Sequence, residues 1–404
     1  MPTIKDYRQF NGLHWETGSL HNFFAYRDFI APHTETPYSE ALLMGISGGA
    51  VVGYFSFAYE GYDPHVALLT RNTFNPMDTI LERLGVEQTI RQTGKSNHAL
   101  TNLLDTLADG TPAIVWADMF SLPYNALGYD DAMWQMFPII IYGYEPDANT
   151  VRIADRANVP LTVTPEELAQ ARGRVKKLKH RLLTLDMPNP DKLAPAVQAG
   201  IWDCIKLYTE TPPKGSKNNF GLTALKRWAD LLVKPKQRLS WAKEFPAGRK
   251  MVAGLTSAFH NIALFGKSGN DWDAERGMYA DFLEEAAHIL NKPVLNDVAQ
   301  HFRLSGQAWR ELAYALLPDD VALFKEMRDL MVDSHRLFRE QGNAALTAVQ
   351  QKNSRLEALK KESETDFSLT QAEVDAMLAN VREHVLNIHA IEQEAVIKLQ
   401  KAML

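Results

Sequence analysis

The residue that this 404-residue chain has least of is cysteine, since it contains only Cys204. A single cysteine excludes an intrachain disulfide and a metal site built from several thiolates. Long apolar runs are also missing, because no stretch approaches the roughly 18 apolar residues of a membrane-spanning helix. Residues 1–6 contain no apolar signal region. We therefore expect a cytoplasmic protein that does not enter the membrane.

A strong excess of one charge is absent as well. The formal net charge is −6 and the sequence pI is near 6.1, which gives no overall attraction to nucleic acid or to an anionic membrane. The most basic stretch, residues 172–181, could receive a phosphate, but a solvated helix face is the more ordinary interpretation. The 12 histidines are scattered, and His14, Glu16 and His21 lack the spacing of a known metal site. We expect neither a metal ion nor a cofactor.

The order of predicted elements indicates an α+β domain up to about residue 190. Apolar residues at helical spacing predict several helices before residue 110, and runs rich in Val and Ile predict strands that become central later. A capping box at Thr164–Glu167 starts a further helix, and Met187–Pro190 marks a domain boundary. The predicted strands are residues 51–58, 66–70, 112–118, 138–144, 151–154 and 182–185.

From residue 191 onward the pattern is almost wholly helical. Residues 323–404 predict a helical hairpin, whose last helix begins at a second capping box, Thr370–Glu373. The apolar stripe of that helix is typical of a core or a subunit contact, and we expect a homo-oligomer, such as a dimer, through these C-terminal helices. The stripe consists of Val374, Met377, Leu378, Val381, Val385, Ile388 and Ile391.

A polar cluster lies at the start of the first helix. It contains His14, Glu16, Thr17, Ser19 and His21. The unpaired N–H groups and the positive dipole end of a helix start suit a nucleophile or an anion. Ser19 with a nearby histidine could form a nucleophile and a base, although such residues on a first turn are more often capping or solvent-facing groups.

Two other features have plainer interpretations. The run Gly45–Gly49 lacks the Lys-Ser/Thr ending and the preceding strand of a phosphate loop, so tight packing or a turn explains it better. Cys204 shares a predicted helix face with Ile201, Ile205 and Tyr208, which predicts a core residue rather than a displaced nucleophile.

A family resemblance shows in the stretch around the first helix. The matching pattern is Gly12, His14, Glu16-Thr17, Ser39-Glu40-Ala41, Met44-Gly45-Ile46 and Gly48-Gly49. It resembles the N-terminal domain of the butirosin biosynthesis protein H family. That family is a papain-like acyltransferase group, which moves an acyl chain from a carrier protein to an amine by way of a cysteine. Residues 219–229, 276–287 and 308–313 resemble the helical domain of unknown function that follows in the family.

The resemblance implies a papain-like acyltransferase-type domain at 1–190, a helical domain at 191–320 and a C-terminal helical hairpin at 321–404. It places the family's cysteine at Trp15, its histidine at Phe137 and its orienting carboxylate at Asp155. Gln9 lies six residues before Trp15, the spacing of the oxyanion glutamine in papain-like enzymes. An indole offers only an N–H donor, and a phenyl ring cannot move a proton, so the family's mechanism is not expected here.

Two functions follow from this pattern. The first is a degenerate member of the family, a pseudoenzyme of secondary metabolism that binds a small metabolite or an acyl or carrier-protein partner. Its aromatic-walled site would use Gln9, Trp15, Phe137 and Tyr144. The alternative is an active acyltransferase, or an amide-forming or amide-cleaving enzyme, with a non-standard catalytic set of His14, Glu16, Ser19 and Asp155.

Overall fold

The computed structural model describes residues 2–210, 217–263 and 272–404. Within them the chain divides into two compact units, each built from three separated stretches. The sheet unit comprises Met1–Leu43, Pro76–Leu193 and Arg336–Gln351. The helical unit comprises Met44–Asn75, Ala194–His335 and Lys352–Leu404. The division of the chain into consecutive domains at residues 190 and 320 stays a prediction.

Helices and strands are mixed in the first part of the chain, and the described residues after 190 form helices, as predicted. The strands are β1 Ala50–Phe57, β2 His65–Arg71, β3 Gln88–Arg91, β4 Ala113–Asp118, β5 Met136–Glu145, β6 Thr150–Ala154, β7 Leu161–Val163 and β8 Leu182–Leu185. The helices that begin before residue 200 are α1 Trp15–Tyr26, α2 Glu40–Ile46, α3 Pro76–Arg83, α4 Ser96–Ala108, α5 Pro165–Gly173 and α6 Leu193–Thr209. Those after it are α7 Gly221–Val233, α8 Trp241–Glu244, α9 Arg249–Ala263, α10 Arg276–Ile289, α11 Val294–Leu316, α12 Ala322–Gln341, α13 Leu346–Glu362 and α14 Gln371–Met403.

The sheet unit is organised on one antiparallel sheet with the strand order β3-β8-β4-β5-β6-β7. Its central strand, β5, is buried from Pro138 to Tyr144, because neighbours on both sides leave its apolar residues away from water. All six predicted strands are present, and the expected mixture of sheet and helix is confirmed. The papain-like topology stays a prediction.

The sequence did not predict two short strands, β3 and β7. Strand β3 carries the polar residues Gln88, Thr89 and Arg91, and most of it is exposed at the sheet edge. Its sequence therefore lacks the alternation of apolar and polar residues that would predict a strand. Strand β7 has three residues, which is too short for an alternating pattern to be read. Both strands exist because a neighbouring strand pairs with them.

The buried carboxylate of Glu40 holds the loop that leads into α1. It accepts hydrogen bonds from the backbone N–H groups of Leu13 at 2.7 Å and His14 at 2.9 Å, and from the Thr17 hydroxyl at 2.9 Å. Burial raises the pKa of Glu40, while these hydrogen bonds and the nearby His21 act in the opposite direction. A side chain that is distant in sequence therefore supplies the acceptor for N–H groups at the start of this helix.

The glycine run resembling a phosphate loop is a packing feature of the helical unit. A Cβ added at Gly45 would lie 2.1 Å from the Phe282 ring. Gly49 has φ of +67°, and a Cβ added there would lie 2.2 Å from Tyr279. The prediction of tight packing and a turn is confirmed.

A fully buried ion pair joins four elements of the helical unit. Glu392 of α14 accepts a hydrogen bond from the Arg276 guanidinium at 2.8 Å, and neither side chain is exposed. Glu392 also accepts from Ser305 Oγ at 2.8 Å, Trp309 Nε1 at 2.8 Å and the Tyr208 hydroxyl at 3.0 Å. Since both oxygens of the carboxylate are used, helices α6, α10, α11 and α14 are fixed around one charge.

The C-terminal region contains three helices, so the expectation of a helical hairpin is wrong. A short 3-10 turn at Gly342–Ala345 separates α12 from α13, and Gly342 has φ of +53°, which ends the first helix. The predicted capping box at Thr370 starts α14 and is confirmed.

Helix α14 packs on α7 and α11, which already cover most of its apolar stripe. Self-association through these helices stays a prediction. No helix in the described ranges has the length and apolarity to cross a membrane.

We expect Glu40→Gln to lower the free energy of unfolding by about 2 kcal/mol, because an amide offers one acceptor oxygen and turns its NH₂ group toward a backbone N–H donor. Chemical denaturation followed by circular dichroism measures this. Glu35→Gln is the matched control, since Glu35 is exposed in the same unit. Equal stability of the two variants would show that the loop does not depend on Glu40.

We expect Glu392→Gln to lower the free energy of unfolding by about 3 kcal/mol, because it leaves the buried Arg276 charge uncompensated. The control is Glu394→Gln on the same helix, whose exposed carboxylate pairs with Lys398. Thermal unfolding should show a clear loss for the first variant and little change for the second. A similar midpoint for both variants would contradict the role assigned to Glu392.

Candidate functional site

Two aromatic rings meet where α1 begins and β5 begins. The Trp15 and Phe137 rings are stacked with centroids 4.0 Å apart and an interplanar angle of 10°. Trp15 is 8% exposed, so most of the indole is removed from water. These are the positions at which the resemblance places the nucleophile and the base, and the rings lie directly against each other.

An arginine lies over the stack. The guanidinium carbon of Arg156 is 4.2 Å from the centroid of the Trp15 ring and 5.1 Å from that of the Phe338 ring. Arginine binds aromatic faces in this way because its cation is attracted to the negative face of the π system. We call Trp15, Phe137, Arg156 and Phe338 the aromatic–arginine stack.

Polar groups hold the arginine of the stack in place. Asp155, which directly follows β6, accepts hydrogen bonds from Arg156 Nε at 3.2 Å and Nη2 at 3.3 Å. Arg156 Nη2 also donates to Asn125 Oδ1 at 2.6 Å, and the Tyr124 hydroxyl donates to Asp155 at 3.1 Å. Burial, with the charge of Asp155, raises the pKa of Tyr124 well above its usual value, so the phenol stays a donor. Asp155 therefore orients an arginine and a tyrosine.

At the start of α1, Ser19 and His21 each bind a backbone carbonyl oxygen. The Ser19 hydroxyl donates to the carbonyl oxygen of Pro138 at 3.2 Å, so it is bound to the backbone of β5. His21 Nδ1 is 2.8 Å from the carbonyl oxygen of Tyr38 and must be its donor. His14 is buried and Glu16 is half-buried on the first turn of α1. The Ser19 hydroxyl thus has a hydrogen-bond acceptor on the backbone of β5, and its pairing with a histidine stays a prediction.

The other predicted binding residues do not join the stack. Tyr144 lies seven positions after Phe137 on β5, roughly 23 Å along an extended strand. The Gln9 side chain turns back on the chain, and its Oε1 accepts a hydrogen bond from the Arg8 backbone N–H at 2.9 Å.

Sequence reasoning missed four residues of this site. Arg156 stands directly after Asp155, so a cation next to the candidate carboxylate was a usable signal. Tyr124 and Asn125 follow a predicted strand in a Pro-containing loop, where polar site residues are common. Phe338 gave no signal, because about 180 residues separate it from Arg156 and its spacing fits an ordinary apolar helix stripe.

Cys204 has the expected role, whereas the basic stretch is not the solvated helix face that the sequence predicted, because α5 ends at Gly173 and Arg172 is buried. Cys204 is fully buried and donates to the Ala50 carbonyl oxygen at 3.2 Å, and burial raises the pKa of its thiol to about 12. Its prediction as a core residue is confirmed. In the basic stretch, Arg172 donates to the His180 carbonyl oxygen, and Arg181 pairs with Asp78 at 3.4 Å. Among the described residues no three His, Cys, Asp or Glu side chains form a metal-binding group.

The stack lacks acid–base chemistry of the cysteine–histidine type. Trp15 and Phe137 carry no group that ionises near neutral pH. Arg156 stays charged and can donate hydrogen bonds to an anion or a carbonyl oxygen. Its side chain is 12% exposed, so a small part of this cation reaches solvent.

Comparison with known families agrees with the resemblance in the sequence. Residues 14–156 match the family described as Butirosin biosynthesis protein H, N-terminal, and this range contains Trp15, Phe137 and Arg156. Residues 166–330 match the Domain of unknown function (DUF4872). No curated protein matches the chain significantly. The two matches follow one another in the expected order, so a region similar to the butirosin biosynthesis protein H N-terminal domain is followed by one similar to this domain of unknown function.

Proposed function

We propose that the chain is a degenerate member of its acyltransferase-like family. In this proposal it binds a small metabolite, or an acyl group presented by a carrier protein, without the cysteine–histidine mechanism. A cytoplasmic location and a role in secondary metabolism belong to the same proposal.

The observation that carries the proposal is the 4.0 Å stack of Trp15 on Phe137 beneath Arg156. Acyl transfer through a covalent intermediate needs a nucleophile and a base within about 3 Å of each other. An indole stacked on a phenyl ring offers neither group. Stacking also places apolar area where an attacking thiol and its acyl ester would need space.

The contacts of the remaining candidates point the same way. The Ser19 hydroxyl donates a hydrogen bond to the Pro138 carbonyl oxygen, and Asp155 accepts hydrogen bonds from Arg156 and Tyr124. Cys204 has a pKa of about 12 and is fully buried, so almost no thiolate is available near neutral pH. Taken together, these contacts favour binding over catalysis by the alternative set.

The ligand chemistry follows from the stack. Aromatic faces accept apolar or planar groups, and a nearby guanidinium donates to carbonyl or anionic oxygens. An acyl group attached to a phosphate-bearing or amide-bearing arm offers both kinds of partner. A thioester of pantetheine is therefore the simplest probe of this proposal.

We expect butyryl-pantetheine to bind the purified chain without acylating it. Isothermal titration calorimetry should show binding, and intact-protein mass spectrometry after prolonged incubation should show an unchanged mass. The physical reason is that no described thiol or hydroxyl at the stack is free to attack the thioester.

Mass spectrometry also separates the alternatives. An acyl adduct that disappears in Ser19→Ala would establish the non-standard enzyme and overturn the proposal. An acyl adduct that disappears in Cys204→Ala would establish Cys204 as a displaced nucleophile and would also overturn the proposal. Absence of both binding and adduct would remove this ligand class from the proposed function.

We expect Asp155→Asn to lower the free energy of unfolding by about 2 kcal/mol, because the mostly buried Arg156 loses its charge partner while keeping one acceptor. Urea denaturation measures the loss, with Asp131→Asn as control, since the Asp131 side chain is 92% exposed. In an active enzyme Asp155 would instead be needed for turnover, and the variant would lose activity at unchanged stability. That result would contradict the positioning role assigned to Asp155.

A further inference from the structure

A second site in the sheet unit lies at the N-terminal end of the chain. There the chain pairs with β5, with Ile4 N–H donating to the Tyr142 carbonyl oxygen at 2.9 Å and Tyr144 N–H donating to that of Pro2 at 3.1 Å. The cleft beside this pairing has a volume of about 810 Å³, within the range of small-molecule sites. We call it the N-terminal cleft. It shares none of its lining residues with the aromatic–arginine stack.

One wall of the N-terminal cleft is aromatic. The Tyr7 and Tyr142 rings are stacked with centroids 4.6 Å apart and an interplanar angle of 11°. Phe10 packs with its ring edge-on to both, at 5.4 Å and 5.7 Å. The rings hold one another in place, so a planar ligand could pack against this wall at a small cost in conformational entropy.

Tyr7 leaves a buried donor without a partner. The residue is 1% exposed, and its hydroxyl has no hydrogen bond to any part of the chain that the structure describes. Burial, with the neighbouring phenols of Tyr142 and Tyr26, raises its pKa well above the usual value, so the group keeps its proton. An unsatisfied buried hydroxyl is costly, and an acceptor atom on a ligand in the cleft would remove that cost.

The charged side chains that line the cleft differ in whether they form an ion pair. Arg152 and Glu145 are bound to each other at 2.8 Å and need no further charge. Lys5 and Arg8 have no ion pair with any described residue, and Arg8 Nη1 donates to the backbone carbonyl oxygens of Lys5 and Tyr7 at 3.0 Å and 2.7 Å. These contacts hold the Arg8 cation next to the aromatic wall. Asp147, exposed on the lining, is the one carboxylate there without an ion pair among the described residues.

We propose that the N-terminal cleft binds a small aromatic carboxylate. The ring lies against Tyr142 and Phe10, the carboxylate accepts hydrogen bonds from Arg8 and Lys5, and a ligand oxygen accepts from the Tyr7 hydroxyl. Both an aromatic acid and an aromatic amino acid have this chemistry, and Asp147 is placed to favour the ammonium group of the second. This site is independent of the proposed function of the stack.

The test is ligand-observed NMR and calorimetry on the full chain with 3-phenylpropionate as the probe. We expect a dissociation constant of about 1 mM or tighter, and at least tenfold weaker binding of 3-phenylpropylamine, which has the same ring and the opposite charge. Arg8→Gln should weaken binding of the acid about tenfold, and Tyr7→Phe about fivefold, because each removes one donor. Lys177→Gln is the control, an exposed lysine of the sheet unit that does not line the cleft.

Several results would overturn this site. These are no binding of the acid at millimolar concentration, equal binding of the amine, or full affinity in Arg8→Gln. Tyr7→Phe keeps the stacked ring, and its melting curve shows whether the fold is intact. L-phenylalanine shows which of the two ligand classes binds. If it binds more tightly than 3-phenylpropionate and loses this advantage in Asp147→Asn, the ligand is an aromatic amino acid. If 3-phenylpropionate binds more tightly, the ligand is an aromatic acid without an ammonium group. Binding of butyryl-pantetheine should be unchanged in Tyr7→Phe, so the two proposals can fail separately.

Discussion

A carboxylate that leaves water must receive hydrogen bonds in exchange, because its desolvation costs several kcal/mol. Three of the buried carboxylates among the described residues illustrate that constraint, and each binds a group that is more than 20 residues away in sequence. Glu40 accepts from the loop before α1, and Asp155 accepts from Tyr124 and Arg156. Glu392 accepts from four donors in the helical unit. Each unit is therefore ordered around a charge as well as around apolar packing.

In the sheet unit this constraint shapes the candidate site. Asp155 holds the guanidinium of Arg156, and that guanidinium lies over Trp15. Trp15 in turn stacks on Phe137 of the central strand. A carboxylate that would orient a base in an enzyme of the papain type thus orients a cation over aromatic rings. Acid–base chemistry is not available at Trp15 and Phe137, because neither side chain has a group that ionises near neutral pH.

Strand β5 supports two places with different chemistry. Phe137 belongs to the aromatic–arginine stack, and Tyr142, roughly 16 Å further along the strand, belongs to the N-terminal cleft. At the stack the cation is neutralised by Asp155, so the site offers mainly apolar area and directed hydrogen bonds. In the N-terminal cleft Arg8 and Lys5 keep their charge unpaired among the described residues, so the site can select an anion. The proposed ligands differ for this physical reason.

Local patterns in the sequence were enough to determine several features of the protein. The capping boxes at Thr164 and Thr370 start helices where predicted, since each needs only four neighbouring residues. The apolar runs became the central strands, and Cys204 lies in the core, because burial follows hydrophobicity. The family, too, was visible in short motifs. What only the tertiary structure decided depends on contacts between distant residues: Phe338 beside Arg156, Ser19 bound to the Pro138 carbonyl oxygen, and β3 and β7 formed by pairing. Such contacts depend on how the chain closes on itself, and spacing along one segment carries no information about them.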